Sequence, residues 1–272
     1  MLHRAGVLAG ILAGSFFLVS VGLNTWASLG YLHRLGWEFV GGEQVPWPSS
    51  LARGPYGWAQ IATFVITGLL IVLLAVAVRD QLPQRRARGF AVVLLALLGA
   101  ALILAAFRVD VPMLSGGSPA TWHGWMHGIA FLLIIATGAL APLAMAAAVR
   151  GDPGWRPIAV VSVAAAVLFV VFLFLPWGNA TFLLAIITLF AWIAAVAVRL
   201  ATRQQSQRDQ QGTSQDQQAT QPQPVQELPR PARAAPDGSV RNGHADHDPY
   251  VPVRERCGLS AGRYRWTIKS AA

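Results

Sequence analysis

Charge is what this chain has least of. Asp, Glu, Lys and Arg make up only 12% of its 272 residues, against 54% apolar side chains. That balance excludes an ordinary water-soluble domain. Cysteine is nearly absent too: Cys257 stands alone, which rules out an internal disulfide and any cysteine-held metal cluster. Lys269 is the only lysine among 21 Lys and Arg residues. With abundant Ala, Gly and Val, that bias fits a GC-rich bacterial genome. The net charge of +9 does not call for a nucleic-acid partner, because membrane proteins gather arginine on their cytoplasmic loops.

What is present in quantity is long apolar blocks, each near the length that crosses about 30 Å of hydrocarbon as a helix. Six are expected, at about residues 5–23, 58–78, 90–107, 122–149, 158–175 and 180–198. The fold class is therefore all-α: a polytopic transmembrane bundle whose partner is the lipid bilayer. The first block could instead be a signal peptide cleaved near Thr25-Trp26-Ala27, but its length favours a retained span. Gly6, Gly10 and Gly14 recur every fourth residue in it, a ridge that lets a second helix approach closely. The ridge serves either packing inside the chain or a homodimer.

Between the first two spans lies a loop rich in Trp26, Tyr31, Trp37, Phe39, Trp47 and Tyr56. Such aromatics suit the headgroup layer, and a short helix over residues 26–35 is weakly signalled. Pro142 inside the fourth span predicts a bend. Pro176-Trp177-Gly178-Asn179 reads as a tight turn. With six spans, both termini share one side, together with Arg4, Arg79, Arg85, Arg86, Arg88, Arg150, Arg156, Arg199, Arg203 and Arg208. Arg34, Arg53 and Arg108 fall on the other. The asymmetry places both termini in the cytoplasm of a bacterial plasma membrane.

After Arg203 the composition changes: ten of the residues from Gln204 to Gln223 are glutamine, and prolines follow. Residues 204–272 read as a disordered cytoplasmic tail. Its basic end, from Arg254 to Lys269, suits the anionic inner leaflet or a solvated terminus. His244, His247 and Asp248 lack the supporting shell a metal site needs.

No ionisable residue falls near the middle of a span, which weakens any reading as a proton-coupled pump. The capable groups gather instead between the third and fourth spans: Arg108, Asp110, His123 and His127. His123 and His127 share one helix face, and Asn24, Ser28 and Asn179 come from nearby span ends. Two imidazoles at that spacing plus the Asp110 carboxylate fit a divalent metal such as zinc, and hence a hydrolase of a lipid or lipid-linked substrate. The plainer reading has no cofactor. In it, Asp110 pairs with Arg108 or His127 and pins the loops over the helix ends. A bis-histidine haem fits less well still, because both histidines project from one helix and clamping a haem needs them on opposite sides of its ring.

These stretches are similar to a bacterial membrane family known as domain of unknown function 998. The likeness rests on Ser28-Leu29-Gly30, on Phe107-Arg108-Val109-Asp110-Val111-Pro112 and on His127-Gly128-Ile129-Ala130-Phe131, within residues 1–200. The long aromatic insert after Ser28 and the second histidine, His123, depart from the pattern. The resemblance implies six helices and draws attention to Asp110 and His127, and it carries no activity. The leading expectation is a scaffold or transporter-like bundle, with the metal hydrolase as the alternative. A signalling module working through the tail is a third reading.

Overall fold

In the computed structural model the described residues are 2–37, 47–83, 85–114, 117–175 and 179–220. The chain divides into two units, Met1–Gln221 and Pro222–Ala272, and the described residues belong to the first. Eight α-helices follow one another there: α1 (Leu2–Ala27), α2 (Leu29–Arg34), α3 (Gly57–Arg79), α4 (Arg85–Leu104), α5 (Val111–Leu114), α6 (Trp122–Val149), α7 (Arg156–Phe174) and α8 (Asn179–Thr220). Short 3₁₀ turns at Ser50–Arg53 and Pro153–Trp155 precede α3 and α7. Six of the helices are long and apolar enough to cross a membrane.

Each long helix packs against its neighbours in sequence, and α8 returns to α1, so the six form a closed ring. Phe17, Phe64 and Phe190 meet from three helices, with Phe17 ring centroids 6.0 Å from Phe64 and 4.9 Å from Phe190. The buried indole of Trp192 donates from Nε1 to Ser162 Oγ at 2.8 Å, tying α8 to α7. Outward-facing Val, Leu and Ile side chains stay exposed along the helices, as expected where lipid is the solvent.

Helices in lipid gain little from apolar contact alone, so close approach through small residues carries the packing. The Gly6/Gly10/Gly14 ridge is covered by the chain's own helices. A Cβ at Gly6 would meet Ala77 and Leu73 of α3, one at Gly10 would meet Ala197 and Leu74, and one at Gly14 would meet Phe190. A homodimer through this ridge would have to displace α3 and α8. Gly68 and Gly99 form a second contact, backbone to backbone: a Cβ on either would strike the carbonyl oxygen of the other.

Three expectations shift. The third span closes at Leu104 rather than Phe107, because the next carbonyls turn to a histidine of α6. The tail does not become irregular at Gln204: α8 continues to Thr220. Its glutamines are sound helix formers, Gln205 and Asp209 bond side chain to side chain at 3.2 Å, and the first proline stands at Pro222. The aromatic loop is only partly a surface belt. Trp26, Tyr56 and Trp58 are exposed and Trp37 is buried. Trp47 packs against Phe182 of α8 at 4.8 Å and Phe131 of α6 at 6.0 Å. Phe39, the Pro176–Gly178 turn and everything from residue 221 onward, His244 and His247 included, lie outside the described residues. The short helix near Trp26 is α2, and α6 runs unbroken through Pro142.

Gly68→Val should cost at least about 2–3 kcal/mol, the upper range for overpacking, because the clash is with backbone that cannot rotate away. The expected readout is loss of the monodisperse peak in detergent size-exclusion chromatography, or a large fall in melting temperature. Gly89→Ala, where an added Cβ would meet nothing within 4 Å beyond its chain neighbours and its own helix backbone, should be neutral or stabilising by up to about 1 kcal/mol.

Candidate functional site

A helix leaves its first N–H and last C=O groups without partners inside itself. Where α4 ends and α6 begins, the segment following α4 caps α6 and a side chain of α6 caps the end of α4. Asp110, six residues beyond the end of α4, is buried at 7% exposure. Its Oδ2 accepts from the backbone N–H of Ala120 at 2.8 Å and of Thr121 at 2.7 Å, and its Oδ1 accepts from the Thr121 hydroxyl at 2.8 Å. Thr121 is the N-cap of α6, and its Oγ1 in turn accepts from Gly124 N–H at 3.3 Å. The carboxylate therefore sits at the positive end of the α6 dipole.

The reverse connection runs through His127. Its Nδ1 lies 2.9 Å from the carbonyl oxygen of Phe107 and 3.1 Å from that of Ala105. Both partners are acceptors, so Nδ1 carries the proton and donates to the two carbonyls at the end of α4. At 8% exposure the imidazole is buried with them. Arg53, from the turn before α3, donates to Val109 O at 3.0 Å, which fixes the backbone next to Asp110. Gly124 completes the fit: a Cβ there would overlap Asp110 Oδ2.

The carboxyl of Asp110 is held below its ordinary value of 3.8, first by the Thr121 N–H, then by the Thr121 hydroxyl, with the Ala120 N–H and the positive charge of Arg53 adding to it. Burial pulls the other way and loses.

The expected pairing of Asp110 with Arg108 or His127 is replaced by these backbone partners. Arg108 is exposed, and the one ion pair among the described residues is elsewhere, between Arg203 and Asp152. His123 is exposed as well; its ring stacks on Trp122 at 3.8 Å and lies 6.0 Å from Phe107. Asp110, His123 and His127 do not gather into a ligand set: no group of three His, Cys, Asp or Glu able to hold a metal ion occurs among the described residues.

Asn24 and Ser28 form a separate cluster with Gln60, a residue the sequence reading passed over. Ser28 Oγ donates to Asn24 Oδ1 at 3.2 Å, and Asn24 Nδ2 donates to Gln60 Oε1 at 3.4 Å. All three are buried, and Gln60 Nε2 has no partner among the described residues. The available signal was an amide one turn inside an otherwise apolar span. The side chain of Asn179 lies outside the described residues.

A ring of six membrane-length helices with polar caps at its ends defines a multi-pass membrane protein. The family described as "Protein of unknown function (DUF998)" matches residues 48–199, more than half of the chain, and the chain belongs to that family. Asp110 and His127 fall inside the matched stretch, whereas Ser28-Leu29-Gly30 and the glycine ridge precede it. No curated protein and no solved structure gave a significant match.

Two outcomes test the cap geometry. Gly124→Ala should destabilise by about 1–3 kcal/mol through displacement of the carboxylate, measured by thermal unfolding in detergent. Because the folded-state pKa of Asp110 is depressed, its contribution is fully present above pH about 4 and is lost as pH falls through the lower folded value. Melting temperature should therefore fall with acidification below about pH 4, and the fall should be shallower in Asp110→Asn.

Proposed function

We propose that the protein is a non-enzymatic membrane scaffold or transporter-like bundle in which Asp110 and His127 act as a structural lock between α4 and α6. The observation that carries this reading is how far the polar atoms are already engaged: three hydrogen bonds occupy most of the roughly four acceptor positions of the Asp110 carboxylate. Both Asp110 oxygens and His127 Nδ1 are committed to backbone or cap partners within the chain. A catalytic or metal-binding carboxylate needs a lone pair aimed at its substrate or ion. Here Ala120 and Thr121 take both positions on Oδ2 and one on Oδ1. The metal-hydrolase alternative finds no comparable support, since the exposed His123 packs on Trp122 instead of facing Asp110.

The same reading places both termini in the cytoplasm of a plasma membrane and the lock at the opposite face. Its support is the arginine asymmetry: the turns holding Arg79, Arg150 and Arg156, and the end of α8 with Arg199 and Arg203, all lie at the end of the ring where α1 starts. By the rule that arginine stays inside, that end faces the cytoplasm.

His127→Phe fills the same space but leaves two carbonyls without a donor, and should cost about 1–3 kcal/mol. Thermal unfolding of purified His127→Phe and Asp110→Asn is the test. Both are expected to melt below wild type, and wild-type melting in both would refute the structural role. A reporter inserted after Pro119 should be accessible from outside the cell and one inserted after Gly151 protected. The reverse labelling pattern would invert the topology.

A further inference from the structure

At the end of the ring opposite the lock, the α6–α7 turn is met by two arginines of α8. Arg199 and Arg203, one turn apart on α8, both reach back to the turn between α6 and α7. Arg203 pairs with Asp152 at 2.8 and 3.1 Å, and its guanidinium lies 5.2 Å from the centre of the Trp155 ring. Arg199 donates through one terminal nitrogen to the Gly154 carbonyl. Gly154 is thus held between the two guanidiniums, and a Cβ on it would strike that of Arg203.

The remaining donors are left over. Arg199 Nε, Gln204 Nε2 and the indole Nε1 of Trp155, a residue with 0% exposure, are buried without a partner among the described residues. Asp152 is the one carboxylate in the turn itself, and it already serves Arg203 and the Gly154 N–H, the latter at 2.8 Å. Arg150 and Arg156 flank the same turn and are exposed. A turn with one acid is thus flanked in sequence by two arginines and met by two more from α8. A group made only of acceptors and carrying negative charge is what this chemistry lacks, and a phosphate is such a group.

We infer that the α6–α7 turn and the Arg199/Arg203 face of α8 bind the phosphate of an anionic phospholipid headgroup. A lipid, not a free anion, fits the position. Leu200, fully buried, marks the end of the apolar part of α8, so the arginines sit at headgroup depth. Immediately below, α7 presents Val160, Val163, Val167 and Val171 on one outward face, all exposed, a strip along which an acyl chain can lie. The inference is independent of the lock at the other end and of which side of the membrane either faces.

The test uses the full chain in detergent, with lipid retention read by native mass spectrometry and protection by thermal unfolding. Phosphatidylglycerol should be retained and raise the melting temperature, while phosphatidylcholine and inorganic phosphate should not. Arg199→Gln should weaken retention about tenfold, the loss of one charge-assisted contact. Arg79→Gln, an exposed arginine at the same end, should leave it unchanged. Should Arg199→Gln not fold, Arg199→Lys, which keeps the charge and loses the Nε–H, is expected to show the same weakening. Wild-type retention in the Arg199 variant, equal loss in Arg79→Gln, or equal protection by inorganic phosphate would each overturn the proposal.

Discussion

Backbone polarity is the constraint on which this structure turns. Inside hydrocarbon a helix satisfies its own peptide groups, but at each end several N–H and C=O groups need partners from somewhere else. Between α4 and α6 the chain meets that need twice over by exchange. A carboxylate following α4 caps α6, and an imidazole within α6 caps α4. Each group would be costly to bury alone, and each is made acceptable by the backbone dipoles of the opposite helix. Because the two caps run in opposite directions, α4 cannot slide or rotate against α6 without breaking one of them.

Packing along the rest of the ring follows from the same solvent. With lipid competing equally for apolar side chains, the helices are held by shape, and glycine provides it. Gly6, Gly10 and Gly14 bring α1 against α3 and α8, and Gly68 faces Gly99 across α3 and α4. Gly138 lies under the Phe169 ring, joining α6 to α7. Gly124 joins the two themes, since its missing Cβ is the space that Asp110 occupies. Trp47 then packs against Phe131 of α6 and Phe182 of α8 at the lock end.

The helices were legible because block length and hydropathy respond to one variable, the thickness of the membrane. Asp110 and His127 were legible as exceptions within an apolar chain. Their partners were not: Asp110 bonds the Ala120 and Thr121 amides, and His127 bonds the Ala105 and Phe107 carbonyls, and backbone groups leave no mark in a sequence. Pairing side chain with side chain was therefore the wrong grammar for this site. His123 was drawn in by its spacing from His127, yet a shared face one turn apart put one ring among carbonyls and the other against Trp122. Glycine spacing revealed the ridge on α1 but not the Gly68–Gly99 contact, which depends on two helices crossing at one level. Past Arg203, composition suggested disorder where helix propensity and local side-chain bonds carried α8 on to Thr220.

The central claim, that the Asp110 carboxylate acts by holding the N-terminus of α6 through Thr121, is tested most directly by a double-mutant cycle. Asp110→Asn, Thr121→Val and the pair would be compared by thermal unfolding in one detergent. If the two residues form a single device, the double variant loses clearly less stability than the two single losses added together. Strict additivity would mean that Asp110 and Thr121 act separately, and would contradict the lock.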